Sequence, residues 1–145
     1  MKQRVLVTGG AGYVGSLLVP QLLLDGHKVT VYDTMWYGND FLDKDHPDLT
    51  LVSGDIRDSS RFAQAVAKHD AVLNLACISN DSSFELNEGL STSVNLDAFR
   101  PMVIASKKAG VQRFIYASSS SVYGVSDSPD VTEDHPLVPL TLYNK

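Results

Sequence analysis

Eight residues near the start, Thr8-Gly9-Gly10-Ala11-Gly12-Tyr13-Val14-Gly15, constrain this chain more than any others. The apolar run RVLVT (4–8) leads into them, and Val14, Leu17, Leu18 and Leu22 follow at helical spacing. The run is continuous rather than alternating, as in a strand covered on both faces. Gly9, Gly12 and Gly15 therefore sit in a turn between a buried strand and a helix. A residue without a Cβ lets the chain turn sharply and lets its backbone come close to a phosphate. The helix behind it offers unpaired N–H groups and the positive end of its dipole. Three glycines alone can be a structural turn. A strand before them and a helix after them point to a pyrophosphate cradle.

The remainder alternates strand-like runs with helix-period segments, the pattern of βαβ units and a parallel sheet. The strands are expected at 4–8, 28–32, 49–53, 71–76 and 113–117. Gly26 closes the first helix, and Pro20 inside it removes a hydrogen bond and predicts a bend. Asp58-Ser59-Ser60 reads as an N-cap ahead of Phe62, Ala65 and Val66. Leu90, Val94, Ala98, Met102, Ala105 and Ala109 mark a long helix that ends at Gly110, with Pro101 interrupting it. Residues 33–48 and 126–139 are polar loops. The fold class expected is α/β, a Rossmann-type doubly wound parallel sheet. At 145 residues the chain fits one such domain, residues 1–145.

Asp33 ends the second strand, 18 residues after Gly15. A carboxylate there accepts hydrogen bonds from both adenine-ribose hydroxyls and repels a 2′-phosphate, which selects NAD over NADP. The alternative is a strand-end Asp that only holds a turn. The net charge of −5 and the lack of a basic stripe exclude a nucleic-acid surface. No apolar run approaches the roughly 18 residues that span a bilayer. One cysteine and four scattered histidines give no metal-ligand spacing. The single Cys77 suits a reducing compartment, so the expected location is cytoplasmic.

These features together resemble the extended short-chain dehydrogenases/reductases, which include nucleotide-sugar 4-epimerases and 4,6-dehydratases. Residues 8–15 match that family's T-G-x-x-G-x-x-G, and 54–58 (GDIRD) match its G-D-[IL]-x-D. Asn74-Leu75-Ala76-Cys77 matches the strand end that lines the nicotinamide side, and Asn95 matches the helix Asn of N-x-x-G, with Ala98 in place of the glycine. Ser118 to Gly124 (SSSSVYG) matches the catalytic-serine segment, and Tyr143 falls where Tyr-x-x-x-Lys begins. The resemblance implies that Gly9, Gly12, Tyr13, Val14, Gly15, Asp33, Asp55, Ile56, Leu75, Ala76, Cys77 and Asn95 surround NAD.

Several of these positions carry a second reading. Asp55 binds the adenine amino group or caps a turn. Tyr13 stacks near the cofactor or covers the helix start. Asn95 is more often a structural clamp than a catalytic group. Cys77 reads as a small buried filler rather than a nucleophile. His27, just past a helix end, reads as a cap for carbonyls.

The implied reaction is hydride transfer from a hexose carbon of a nucleoside-diphosphate (NDP) sugar to NAD. Tyr143 is the implied base. A free phenol has a pKa of about 10, which a neighbouring lysine and the cationic nicotinamide lower. Ser119 is the implied hydroxyl that orients the substrate oxygen, with Ser118, Ser120 and Ser121 as rivals. In a strand Ser119 and Ser121 would share a face, so Ser121 is placed at the substrate. No acid stands before Val122, which disfavours the dehydratase branch and leaves a 4-epimerase in front. The family's lysine belongs four residues after Tyr143, beyond Lys145, and Lys145 itself is not given that role. The chain is therefore expected to be truncated before the substrate domain, able to bind NAD but slow or inactive in turnover. A non-catalytic NAD(H)-binding module or redox-sensing regulator is the alternative, and a homodimer is the partner the resemblance implies.

Overall fold

The computed structural model describes residues 2–144. Strand β1 (Arg4–Thr8) is followed by helix α1 (Gly15–Leu24), β2 (Lys28–Asp33), β3 (Leu49–Ser53), α2 (Ser59–Val66) and β4 (Ala71–Asn74). Then come two short helices, α3 (Asp81–Leu86) and α4 (Glu88–Thr92), a π-helical turn (Ser93–Asp97), α5 (Phe99–Lys108) and β5 (Arg113–Tyr116). A 3₁₀ turn (Ser120–Tyr123) closes the series.

All strand pairs are parallel, in the order β3-β2-β1-β4-β5. This is the doubly wound arrangement that the sequence predicts. Side chains alternate across the sheet. Val5, Val7, Val29 and Val31 pack with Val19 of α1 on one face. Leu6, Tyr32 and Val72 pack with Phe62 and Val66 of α2 and Met102 of α5 on the other. Each fully buried aliphatic or aromatic side chain contributes about 1.5–3 kcal/mol, which is why the central strands read as unbroken apolar runs.

The helix ends follow from local chemistry. Asp58 caps α2 by accepting the Arg61 N–H at 3.0 Å. α1 ends with His27 N–H to Leu22 O and Gly26 N–H to Leu23 O, with Gly26 at φ +82°. α5 ends in the same way at Val111 and Gly110. Both are Schellman motifs, where glycine takes a left-handed conformation at little cost. His27 departs from expectation: its Nδ1 accepts the Gln3 N–H at 3.2 Å instead of capping carbonyls. α1 continues through Pro20 to Leu24.

The predicted long helix is broken into α4, the π turn and α5. Ala98 N–H reaches back to Ser93 O at 3.2 Å, the five-residue step of a π turn. That shift moves Pro101 into the first turn of α5, where a missing N–H costs least. None of the helices among the described residues is long and apolar enough to cross a membrane.

At the amino ends of the strands, Asp70 accepts the Arg4 backbone N–H at 2.7 Å and its guanidinium at 2.9 Å. The Arg4 side chain is the main reason the Asp70 carboxyl falls to about 2. His69 next to it accepts from or donates to Thr30 Oγ1 at 2.9 Å, while its Nδ1 is buried without a partner. Burial lowers the His69 pKa, outweighing the Val66 and Ala67 carbonyls. The unfolded value lies near 6.5, so the folded chain holds fewer protons below it. Stability attributable to His69 is therefore full above about pH 6.5 and lost as pH falls through the lowered folded value. The urea midpoint should drop between about pH 7.5 and about pH 5.5, and His69→Gln should flatten that slope. An unchanged slope in the variant would remove His69 from the account. Asp70 acts in a separate window, from 3.8 down to about 2.

Candidate cofactor crevice and serine turn

The carboxyl ends of β1 and β4 lie side by side, with Thr8 paired to Asn74. Between these strands the chain order reverses, and open α/β sheets bind ligands in the crevice at such a point. A buried hydrogen bond from Thr8 Oγ1 to Asn74 Oδ1 ties the two strand ends together. From this rim the glycine turn leaves β1, and Leu75, Ala76 and Cys77 leave β4.

The glycines divide by what a Cβ would meet. At Gly9, φ +69°, it would lie 2.6 Å from Ala76 N. At Gly10 it would lie 2.9 Å from a Val31 methyl, and at Gly15 it would clash with the Gly10 backbone. These three let protein pack on protein. A Cβ on Gly12 would meet one atom only, Gly9 O at 3.2 Å, and otherwise faces open space. Gly10 is a position that the G-x-x-G-x-x-G spacing does not reveal. Its partner Val31 comes from β2.

No side chain caps α1 at Val14, and the N–H groups of Tyr13 and Val14 have no protein acceptor among the described residues. Unpaired donors at a helix start, beside a glycine with room in front of it, fit the phosphates of a dinucleotide. Tyr13 is 93% exposed, so it covers nothing of the helix start.

Asp33, at the end of β2, is bound to this loop. Its Oδ2 accepts the Ala11 N–H at 3.0 Å, and its Oδ1 accepts the Met35 N–H at 2.8 Å. Met35 has φ 60°, so the carboxylate holds a turn that an L-residue rarely adopts. A carboxylate offers about four lone-pair sites, and two remain for a ligand.

Asp55 is engaged by Arg57. Its Oδ1 accepts the Arg57 backbone N–H at 2.9 Å, and both oxygens meet the guanidinium. That side-chain pairing is the largest cause lowering the Asp55 pKa, against partial burial. Arg57 also reaches Ser93 Oγ, at 3.3 Å, on the π turn. The Ile56 side chain is buried in the core with Tyr32 and Phe62, which leaves only its backbone to face a ligand.

The Asn95 amide uses both ends on one residue: Oδ1 accepts the Ile78 N–H at 2.8 Å, and Nδ2 donates to Ile78 O at 3.0 Å. It thus clamps the chain leaving β4. Cys77 corrects an expectation, since it is exposed rather than a buried filler. Desolvation by the surrounding protein still raises its thiol, which keeps it protonated and poorly nucleophilic.

The serine run is not a continuation of β5. Ser119 is extended and caps the 3₁₀ turn that begins at Ser120. The strand argument for a shared face fails, yet Ser119 Oγ and Ser121 Oγ touch, because the turn folds one over the other. Ser118 and Ser120 are exposed, whereas Ser119 and Ser121 are partly buried. Ser121 Oγ donates to Asn144 Oδ1 at 2.7 Å. Tyr143 packs its ring on Phe84 of α3, with centroids 6.0 Å apart. Tyr116 at the end of β5 has its phenol raised by partial desolvation first, then by nearby Cys77 and Tyr143. Asn144, the residue after Tyr143, is thus tied to the serine turn through Ser121. Lys145 lies outside the described residues.

Sequence reasoning missed α3 and the roles of Phe84 and Asn144. The signal for α3 was present in Asn80, whose side chain accepts the Ser83 N–H at 2.9 Å, an N-cap four residues before the apolar Phe84.

A family model described as the NAD dependent epimerase/dehydratase family matches residues 5–145. The chain is 38% identical over 142 residues to a 3-beta-hydroxysteroid dehydrogenase of Mycolicibacterium neoaurum, covering 95% of this chain and 37% of that protein. It is 36% identical to a UDP-N-acetyl-alpha-D-glucosaminuronate decarboxylase of Bacillus cytotoxicus, covering 94% of this chain and 43% of that protein. Its structure resembles a UDP-glucose-4-epimerase of Stenotrophomonas maltophila, solved with bound NAD and formylated UDP-arabinopyranose. The TM-score is 0.89 at 30% identity, over 98% of this chain and 44% of that one. The chain spans less than half the length of each of these proteins.

Proposed function

This chain belongs to the NAD dependent epimerase/dehydratase family, and from that premise we propose that it is the NAD-binding part of an enzyme acting at a hexose carbon of an NDP-sugar, as a 4-epimerase or close relative. The observation that carries the reading is the open face of Gly12, set between unpaired N–H groups and the Asp33 carboxylate at the reversal point of the sheet.

In this reading the N–H groups of Tyr13 and Val14 hold the pyrophosphate. The free lone pairs of Asp33 accept the ribose hydroxyls, and the Asp55–Ile56 segment borders the adenine. The exposed Tyr13 ring flanks the cofactor, and Leu75, Ala76 and Cys77 border its nicotinamide end. When bound, NAD supplies the hydride acceptor. Tyr143 takes the proton of the substrate hydroxyl, and Ser119, backed by Ser121, orients that oxygen. Asn95 keeps the β4 loop in place.

A second reading replaces the sugar with a steroid alcohol. It is favoured by the 38% identity to the hydroxysteroid dehydrogenase and uses the same proton chemistry. UDP-glucose and a 3β-hydroxysteroid, offered with NAD+ to a chain extended past position 147, separate the two by which one yields NADH or an epimer.

Titration calorimetry tests the cofactor claim directly. NAD+ should bind, and NADP+ should bind at least about tenfold more weakly because Asp33 repels its 2′-phosphate. Asp33→Ala removes the acceptor for the ribose hydroxyls and releases the Ala11 and Met35 N–H groups, so NAD+ affinity should fall about 10- to 100-fold, or about 1.4–2.7 kcal/mol. Well-folded protein that takes up neither dinucleotide would end this reading.

A further inference from the structure

The chain between the serine turn and Tyr143 returns to its starting point. Val138 N–H donates to Val122 O at 2.9 Å, which ties the chain back to the serine turn just before residues 139–144. Three of these residues are then held by different groups. Thr141 Oγ1 donates to Asp81 Oδ1 in the first turn of α3. The Tyr143 ring stands edge-on to Phe84, one turn further along α3. Asn144 Oδ1 accepts from Ser121. Asn80, at φ 67°, caps α3 and fixes where that helix starts. The bracket is thus built from a short helix on one side and the serine turn on the other.

We propose that Asp81 is a positioning residue for Tyr143, acting through Thr141 to seat the phenol against Phe84, on the segment whose Asn144 is held by Ser121. The inference rests on the reading of Tyr143 given above but concerns its placement, which is measurable without turnover. An acceptor is required at position 81, since the Thr141 hydroxyl donates to it. A charge is not. Asn at 81 retains an acceptor oxygen, and Ala does not.

Fluorine NMR of 3-fluorotyrosine-labelled protein reads this out. The chain has six tyrosines, and Tyr143→Phe identifies the Tyr143 signal. The buried Tyr32 reports the fold, and the exposed Tyr13 and Tyr37 mark the solvent position. Asp81→Ala and Thr141→Val should move the Tyr143 signal towards that of Tyr13 and Tyr37 while Tyr32 stays put. Asp81→Asn should leave Tyr143 at its wild-type position. A Tyr143 signal that stays in place in both Asp81→Ala and Thr141→Val overturns the proposal. So does an Asp81→Asn protein that behaves like Asp81→Ala. If Asp81→Ala disturbs Tyr32 as well, the milder Thr141→Val decides. NAD+ uptake by the same samples is an independent measurement, so loss of the bracket and loss of cofactor binding cannot be mistaken for each other.

Discussion

Replacing Gly12 with valine is expected to weaken NAD+ binding by about a hundredfold or more while leaving the melting temperature within about 2 °C of the wild type. The reason is the direction in which a side chain would point. Gly12 does not have a positive φ, so an L-residue can adopt its backbone. Its Cβ would press only on Gly9 O and then enter the space assigned to the phosphates. A hundredfold loss is about 2.7 kcal/mol. Gly15→Ala is the control with the opposite character. Its methyl would collide with the Gly10 backbone, push α1 off the loop and cost about 1–3 kcal/mol of folding stability, with binding lost as a consequence. Thermal melts paired with calorimetry distinguish the two. A Gly12→Val protein that binds like the wild type would show that the open face is not where the cofactor lies.

The largest effect on stability is expected from Phe62→Ala, at about 3–5 kcal/mol. Phe62 is fully buried and meets Tyr32 edge-on at 5.8 Å. Tyr32 in turn lies under Gly54, where a Cβ would strike the phenol ring, and donates its hydroxyl to Asp55 O at 2.9 Å. Removing the ring leaves a cavity that neither α2 nor the sheet can close. Denaturant unfolding should show a lower midpoint with an unchanged slope, and the melting temperature should fall by roughly 10 °C or more. The same substitution loosens the floor beneath Asp55, so NAD+ affinity should fall with it. A loss below about 1 kcal/mol would mean that this face of the sheet is packed less tightly than its burial indicates.

The sequence reading located β1 and β3 with their observed ends and β2 to within one residue, because runs such as RVLVT carry buried-strand chemistry along their whole length. It also found the Asp58 cap and the closing glycines Gly26 and Gly110, where one residue type answers one local need. It could not find the π turn. Apolar spacing over 90–109 is compatible with an unbroken helix, and the extra step at Ser93–Asp97 leaves Pro101 in the first turn of α5, where its missing N–H costs least.

The serines misled for a related reason. A strand and a 3₁₀ turn can both bring Ser119 and Ser121 together, so the correct neighbours came from an incorrect conformation. Cys77 was misjudged because small apolar residues on a parallel strand are usually inside, whereas this one comes after the strand has ended. Asp33 is legible as the carboxylate that ends β2. Its grip on Ala11 was not visible, since a contact across 22 residues depends on how two loops fold towards each other.

Because all five strands run the same way, every loop that leaves a carboxyl end collects on one rim, and the packed interior stays behind it. Retargeting such a protein is therefore a matter of editing tips while the interior is inherited unchanged. A lineage can try new chemistry on that rim without first securing extra stability to survive the trial.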